Sequence, residues 1–153
     1  MKPVAAFIVG HEDWGKSETL YYLVGKSRHR GWISINNTNV FVRHMSNDDI
    51  PDSFIDFINK VTPQKKPNII AALCPNFTNP EVKTEYSLNN LRNKGYRLYF
   101  WVMRYKYGSS YGITNEEIEK LKEFGGVEIY SLKTEGNKRA EAFKEYLSRI
   151  FHA

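Results

Sequence analysis

The sequence predicts an α/β protein, a three-layer sandwich in which a mostly parallel sheet lies between two layers of helices. Two segments, VAAFIV at 4–9 and NIIAALC at 68–74, are almost wholly apolar, as is typical of strands buried on both faces. Strand-like and helical patterns alternate along the chain, which favours parallel strands joined by helices. Two adjacent strand patterns at 32–35 and 40–45 indicate one antiparallel strand.

Six strands and five helices are expected from the residue patterns. The strands are predicted at 4–9, 32–35, 40–45, 68–74, 96–105 and 127–132. The helices are predicted from near Lys16 to Gly25, over 48–61, over 81–94, over 115–124 and over a C-terminal segment that carries Phe143, Leu147, Ile150 and Phe151 on one stripe.

Several boundaries are predicted from turn, capping and helix-stop residues. Residues 36–39 suit the turn of a hairpin, and Pro51 suits the first turn of the second helix. Thr114 and Glu117 are spaced as a capping box that opens the fourth helix. The glycine pair at 125–126 is expected to end that helix.

The length and composition describe an ordinary globular chain. With 153 residues it is interpreted as a single domain, 1–153. The net charge of +5 favours an anionic partner such as a nucleotide, a nucleic acid or an acidic protein surface, and a homo-oligomer is also open. The single cysteine, Cys74, excludes an internal disulfide and is expected in the core. Because no apolar stretch is long enough to span a bilayer and no signal peptide is recognisable, we expect no membrane contact and a cytoplasmic location.

The segment GHEDWGKS, residues 10–17, matches the phosphate-binding pattern G-x-x-x-x-G-K-[ST]. It follows a predicted buried strand and opens a predicted helix, which is the setting that this loop requires. Backbone N–H groups and the helix N-terminus would surround the phosphates, Lys16 would reach the β- and γ-phosphates, and Ser17 would bind Mg²⁺. The predicted nucleotide-binding residues are Gly10, Asp13, Trp14, Gly15, Lys16, Ser17 and Glu18.

The loop resembles that of the translation-factor GTPases, which reads G-H-x-D-x-G-K-[ST], so the chain is interpreted as P-loop NTPase-like. His11 and Asp13 match this pattern in addition to the residues of the general motif. The order of elements is similar to that of the small Ras-like GTPase domain. The resemblance implies that Asp13 helps to hold a monovalent cation near the phosphates. Trp14 fills a variable position, where its ring either packs on the sheet edge or stacks near the nucleotide, and packing is favoured.

The chain lacks the motif that assigns guanine and a second motif that is usual in GTPases. The chain contains no N/T-K-x-D tetrapeptide, and DDIPD at 48–52 occupies the region where D-x-x-G is expected. The nucleotide is therefore either ATP or GTP.

A second Mg²⁺ ligand is sought among acids at strand ends beside the loop. Asp48 and Asp49 are the candidates, with a helix N-cap as the competing interpretation. Thr38 is either a mobile residue that approaches the γ-phosphate or a hairpin-turn residue.

Hydrolysis needs an oriented water and often an arginine near the phosphates. Arg28, Arg30 and Arg43 are candidate arginines, although surface positions are favoured for all three. His11 and Glu12 are candidates for orienting the water. No residue is assigned as the base.

The leading functional hypothesis is Mg²⁺-dependent binding and slow hydrolysis of a nucleoside triphosphate. One alternative is a small-molecule or nucleotide kinase, although no arginine-rich lid segment follows the middle strands. Another is a regulatory module that binds nucleotide without turnover. Nucleic-acid binding through one face of the strand at 96–105 is weighed against ordinary packing of a central strand, which is favoured. That face carries Arg97, Tyr99, Trp101, Met103 and Tyr105.

Overall fold

A six-stranded sheet forms the centre of the protein. The computed structural model describes residues 2–27, 31–109 and 111–151. The strands, in chain order, are β1 (Val4–Val9), β2 (Trp32–Ile35), β3 (Thr38–Arg43), β4 (Asn68–Leu73), β5 (Arg97–Met103) and β6 (Gly125–Tyr130). They lie side by side in the order β2-β3-β4-β1-β5-β6. All neighbouring pairs are parallel except β2 and β3, which form an antiparallel hairpin.

Five helices connect and cover the strands. They are α1 (Lys16–Leu23), α2 (Pro51–Lys60), α3 (Thr84–Asn93), α4 (Asn115–Lys122) and α5 (Gly136–Ile150), and a short 3₁₀ turn at Pro80–Val82 precedes α3. Helix α1 packs on α5, and α2 packs on α3. Strands β1 and β4 are buried at every position, so both faces of the sheet are covered. The predicted α/β fold class and the predicted order of elements are confirmed.

The ends of the helices are satisfied by side chains as well as by backbone. The ammonium of Lys94 donates to three carbonyls at the end of α2, those of Ile58 (2.5 Å), Asn59 (3.0 Å) and Val61 (2.8 Å). This residue therefore caps α2 from the end of α3 and stabilises the pairing of the two helices. The capping box of Thr114 at the start of α4 is also confirmed.

The glycine pair at 125–126 does not end α4 as predicted; it begins β6. Gly125 pairs with Leu98, and Gly126 pairs with Tyr99. A Cβ on Gly125 would overlap with the backbone carbonyl oxygen of Leu98. The strands approach too closely there for a side chain, and a sequence pattern cannot distinguish this requirement from a helix stop.

The hairpin is confirmed, but its position in the sheet separates Thr38 from the phosphate loop. Strand β3 runs parallel to β4, and β4 runs parallel to β1. Thr38 is the first residue of β3, so it lies at the amino ends of these strands. The loop at 10–17 follows the carboxyl end of β1. The interpretation of Thr38 as a γ-phosphate residue is therefore wrong, and it belongs to the hairpin.

The central part of β5 is packed inside the protein. Trp101 and Met103 are both 2% exposed, and the ring of Trp101 contacts the rings of Tyr130 and Phe143. Helix α5 therefore covers the centre of the strand face on which nucleic-acid stacking was considered. The packing interpretation is confirmed for Trp101 and Met103, whereas Arg97 and Tyr105 of the same face are exposed. Among the described helices, none is long and apolar enough to span a bilayer.

Candidate functional site

The loop at 10–17 connects the carboxyl end of β1 to α1. The Gly10 N–H donates to the carbonyl of Leu73 in β4 (3.1 Å), which holds the start of the loop against the neighbouring strand. Asp13 and Gly15 have positive φ angles of 64° and 88°. Aspartate tolerates this left-handed conformation better than most residues, and glycine adopts it freely. These two residues turn the chain sharply into α1.

Lys16 lies folded back over this loop. Its ammonium donates to the carbonyls of Gly10 (2.5 Å) and His11 (2.9 Å), and the residue is only 6% exposed. Burial lowers the pKa of Lys16, and the nearby carboxylate of Asp48 partly offsets this effect. The site thus holds a desolvated cation that is bound mainly by neutral carbonyl oxygens, and such an arrangement favours an anion.

Asp48 lies beside this ammonium. Its Oδ1 is 3.9 Å from the Lys16 Nζ and accepts a hydrogen bond from the Ser46 hydroxyl. Its side chain is 10% exposed, and Oδ2 has no hydrogen-bond partner among the described residues. A buried carboxylate oxygen without a donor is costly unless a cation or a donor completes it.

Asp49 is exposed and bends back to Ser46, whose N–H donates to its Oδ2 at 2.9 Å. Neither aspartate caps α2, because the N-cap of that helix is Ile50 and has no side-chain hydrogen bond. The helix-cap interpretation is therefore wrong for both residues. Both lie in the segment between β3 and α2, before the helix begins.

Asn47 fixes this segment against the end of β4. The residue is fully buried, and its amide nitrogen donates to Cys74 O (3.1 Å), Val82 O (3.3 Å) and Thr84 Oγ1 (3.0 Å). Its Oδ1 accepts from the Cys74 N–H at 2.7 Å. Asn47 therefore sets the position of its neighbour Asp48. Sequence reasoning missed it, because one asparagine in a loop gives no signal of such a role.

A cavity of about 290 Å³ opens over the loop, and we call it the loop cavity. Its lining residues are Asp13, Trp14, Gly15, Lys16, Ser17 and Asp49. Five of the seven predicted nucleotide-binding residues line this cavity. A sixth, Gly10, accepts a hydrogen bond from the Lys16 ammonium through its carbonyl. The exception is Glu18, which lies in the first turn of α1 with its carboxylate 3.5 Å from the Nη2 of Arg139 and does not line the cavity.

The oxygen atoms near this cavity suit a magnesium ion whose remaining ligands are phosphate oxygens and waters. Ser17 is exposed at the cavity, and Asp48 offers its unpartnered carboxylate oxygen. Mg²⁺ is usually held by one or two protein oxygens together with phosphate oxygens and waters. Within the described ranges, no three His, Cys, Asp or Glu side chains form a ready-made metal cluster. Ser17 and Asp49 line the loop cavity itself, whereas Asp48 lines a separate cavity and has its Oδ1 3.9 Å from the Lys16 Nζ. Ser17, Asp48 and Asp49 are therefore the residues that would hold Mg²⁺.

Trp14 contributes its backbone to the loop, while its ring belongs to the core. The residue is 7% exposed, and its ring meets that of His11 edge-on, with centroids 5.4 Å apart. A Cβ on Gly10 would lie 3.3 Å from the Trp14 Cβ and 2.7 Å from the Met103 Cε. The predicted packing role of Trp14 is confirmed, and a side chain at Gly10 would require the Met103 side chain to shift and would press on Trp14.

His11 links the loop to α4. Its Nε2 lies 2.7 Å from Oε2 of Glu117, and its Nδ1 lies 3.6 Å from the Cys74 Sγ. Burial acts against ionisation of Glu117, but hydrogen bonds from His11 and Thr114 outweigh it and lower the pKa of Glu117.

Burial, aided by Asp48, raises the pKa of Cys74 to about 12, so its thiol stays protonated at neutral pH. The expected core position of Cys74 is confirmed.

Arg139 supports the loop from the side of α5. The residue is 5% exposed; its Nε donates to the Thr19 hydroxyl (3.1 Å), and its Nη1 donates to the Thr134 carbonyl. Thr19 in turn donates to the Gly15 carbonyl at 2.8 Å. A Cβ on Gly15 would overlap with the Arg139 Nη2. No sequence motif marks Arg139, since its contact with the loop arises from the packing of α5 on α1.

Of the three arginines proposed from the sequence, Arg43 lies within the described residues, and its contacts are away from the loop. Arg43 donates to the Ser53 hydroxyl at 2.8 Å and lies over the Phe57 ring. Arg28 and Arg30 lie outside the described residues, as does His152, for which no role was proposed. Glu12 is exposed and lines a further small cavity with Asp48 and Cys74, so its role in orienting water stays a prediction.

A larger cavity, of about 540 Å³, lies beyond His11 between the segment after β4 and the start of α4. We call it the α4 cavity. Its lining includes His11, Asn76, Phe77, Glu116, Glu117 and Lys120. Sequence reasoning did not find it, because its walls come from segments that are distant along the chain.

The comparisons with known proteins bear on the fold alone. No protein-family model matches the chain, and no curated protein matches it at a significant level. Among solved structures, the chain is similar to a de novo designed protein of the PLOOP2X3_50 fold, determined by solution NMR. The two share 14% sequence identity with a TM-score of 0.53, over 98% of this chain and 97% of the designed one.

Proposed function

We propose that this protein binds a nucleoside triphosphate with Mg²⁺ through the loop at 10–17 and slowly hydrolyses its β–γ bond. The observation that carries the proposal is the buried ammonium of Lys16, which is held over the loop by two backbone carbonyls. Asp48, whose Oδ2 has no hydrogen-bond partner among the described residues, has its Oδ1 3.9 Å from this ammonium. A polyphosphate with Mg²⁺ supplies an anion to the lysine and a cation to the aspartate at once.

The chain's own residues have distinct roles in this proposal. The backbone N–H groups at the start of α1 face the phosphates, and Lys16 exchanges its carbonyl partners for β- and γ-phosphate oxygens. Ser17 and Asp48 hold Mg²⁺, which neutralises charge on the phosphates. Slow turnover is expected, because Arg43 is turned away from the loop and Arg139 is occupied behind it.

The test is a binding panel of ATP, GTP and their diphosphates, with and without Mg²⁺, together with phosphate release over a long incubation. We expect a triphosphate to bind. The substitution Lys16→Ala should lower the affinity for that triphosphate about 10- to 100-fold. Lys60→Ala is the matched control, since that lysine is exposed and forms an ion pair only with Asp56. Unchanged affinity in Lys16→Ala would refute the proposal. Binding without phosphate release would instead assign a regulatory module.

A second candidate function is phosphoryl transfer to a small acceptor, and the α4 cavity favours it. The cavity borders His11, whose carbonyl accepts a hydrogen bond from the Lys16 ammonium, the group proposed to bind the β- and γ-phosphates. An acceptor bound there would lie beside the γ-phosphate. Acceptor-dependent loss of the triphosphate, without release of inorganic phosphate, would distinguish transfer from hydrolysis.

A further inference from the structure

We propose that the α4 cavity is a binding site for a nucleoside, separate from the site for the triphosphate. None of the described residues that line it also lines the loop cavity. Its volume of about 540 Å³ lies within the range of small-molecule sites in proteins. The inference names a ligand class for the cavity that the second candidate function assigns to an acceptor, and it does not depend on triphosphate binding in the loop cavity.

Phe77 provides a fixed aromatic surface in this cavity. Its ring stacks on the ring of Phe124, with centroids 6.3 Å apart and planes 12° from parallel. The Arg92 guanidinium lies 5.0 Å from the Phe124 ring and donates to the Glu123 carbonyl, so the supporting ring is itself held in place. Phe77 remains partly exposed at the cavity. A rigid, accessible ring favours a flat, aromatic ligand.

The polar groups around this ring suit the edge of a base. Asn76 Oδ1 accepts from the N–H of Thr78 (3.1 Å) and the N–H of Asn79 (3.0 Å), which fixes the side-chain amide and leaves its NH₂ group as a donor. On α4, Glu116 offers acceptors, and Lys120 offers donors one turn further along the same face. Nucleobases present donors and acceptors side by side in one plane, which matches this set.

The charges at the cavity favour a nucleoside over a nucleotide. Two carboxylates, those of Glu116 and Glu117, line it together with the single ammonium of Lys120. Glu117 is already occupied by His11 and by the Thr114 N–H, which leaves Glu116 and Lys120 to the ligand. A phosphate group there would face a carboxylate with no additional cation among the described lining residues. The ligand is therefore expected to carry hydroxyl groups but no phosphate.

The experiment titrates the full chain with adenosine, guanosine, cytidine and thymidine, with ribose as a ligand that lacks the base, using NMR shifts or calorimetry. We expect at least one nucleoside to bind and ribose not to bind. Phe77→Leu should weaken that binding about tenfold or more through loss of stacking. Glu116→Gln should also weaken it and is an exposed change that leaves the fold intact. Glu119→Gln, exposed on the same helix, should have no effect.

Lys16→Ala separates this inference from the NTPase proposal. It should weaken triphosphate binding about 10- to 100-fold and leave nucleoside binding unchanged, so each of the two expectations can be refuted without the other. Nucleoside binding that is lost in Lys16→Ala would place the ligand in the loop cavity and overturn the inference. It would equally be overturned by the absence of binding for all four nucleosides, by equal binding of ribose, or by unchanged affinity in both Phe77→Leu and Glu116→Gln.

Discussion

The imidazole of His11 and the carboxylate of Glu117 lie 2.7 Å apart and join the phosphate loop to the first turn of α4. Glu117 is also the acceptor in the capping box of that helix, where the N–H and the hydroxyl of Thr114 both donate to it. A single carboxylate therefore begins a helix and positions a loop residue. Movement of α4 and movement of the loop are expected to be coupled.

The substitution Glu117→Gln tests the charge of this pair, because glutamine retains the capping box. The pKa of Glu117 is lowered in the folded protein from its ordinary value of 4.5. Its ionised form therefore adds stability above pH 4.5, and this contribution is lost as the pH falls through the folded pKa. We expect the variant to be about 1 kcal/mol less stable than the wild type at pH 7, with the difference shrinking in acid. Urea unfolding at several pH values measures it; a difference that does not vary with pH would contradict the assignment.

Asp48→Asn tests the proposed magnesium ligand. We expect the variant to lose the gain in triphosphate affinity that Mg²⁺ gives, while affinity in EDTA is unchanged or higher, since Lys16 loses a competing anion. Asp56→Asn is the control, because its carboxylate is exposed on α2 and pairs there with Lys60. Binding titrations with and without Mg²⁺ measure both. A full magnesium effect in Asp48→Asn would assign the ligand elsewhere.

Asn47→Ala should destabilise the protein by about 2 to 3 kcal/mol, because it leaves buried backbone groups of Cys74 without a partner. It should also weaken Mg²⁺-dependent binding by releasing the segment that carries Asp48. Asn93→Ala is the matched control, an exposed asparagine at the end of α3. Chemical denaturation gives the first effect, and nucleotide titration gives the second. Equal stability of the two variants would show that Asn47 does not hold this segment.

Gly15→Ala should destabilise the protein both through its backbone conformation and through overlap with Arg139, whereas Gly108→Ala should do so through its backbone conformation alone. Both glycines have positive φ angles, 88° and 75°, but a Cβ on Gly108 would meet nothing within 4 Å, whereas one on Gly15 would overlap with the Arg139 guanidinium. We expect about 1 kcal/mol of destabilisation for Gly108→Ala and about 2 to 4 kcal/mol for Gly15→Ala. Urea midpoints report the comparison. Similar values would mean that Arg139 moves away without cost.

Gly125→Ala and Gly126→Ala compare two neighbours in β6. The first would drive a methyl group into the Leu98 carbonyl, while the second would place one 3.3 Å from the Tyr99 ring, which can give way. We expect about 3 kcal/mol of destabilisation for the first and about 1 kcal/mol or less for the second. Thermal and urea unfolding distinguish them; the reverse order would indicate a different register between β5 and β6.

Much of the fold was predictable, since it depends on patterns that are local in the sequence. The apolar runs of β1 and β4 indicate strands buried on both faces, and the spacing of Thr114 and Glu117 indicates a helix start. The glycine pair at 125–126 was misinterpreted because glycine ends helices and also permits close strand contact. Only the neighbouring strand distinguishes these two uses.

The sequence by itself determined the fold class, the order of elements and the position of a phosphate-loop motif, because each depends on residues that are close along the chain. Tertiary structure alone decided what surrounds that loop. Glu117 and Arg139 come from segments far from the loop in sequence, and Asn47 fixes the equally distant segment that carries Asp48. These segments surround the loop only because parallel strands bring their carboxyl ends to one edge and α5 packs on α1. A local sequence pattern cannot predict such contacts, because each one depends on how distant helices and strands pack against each other.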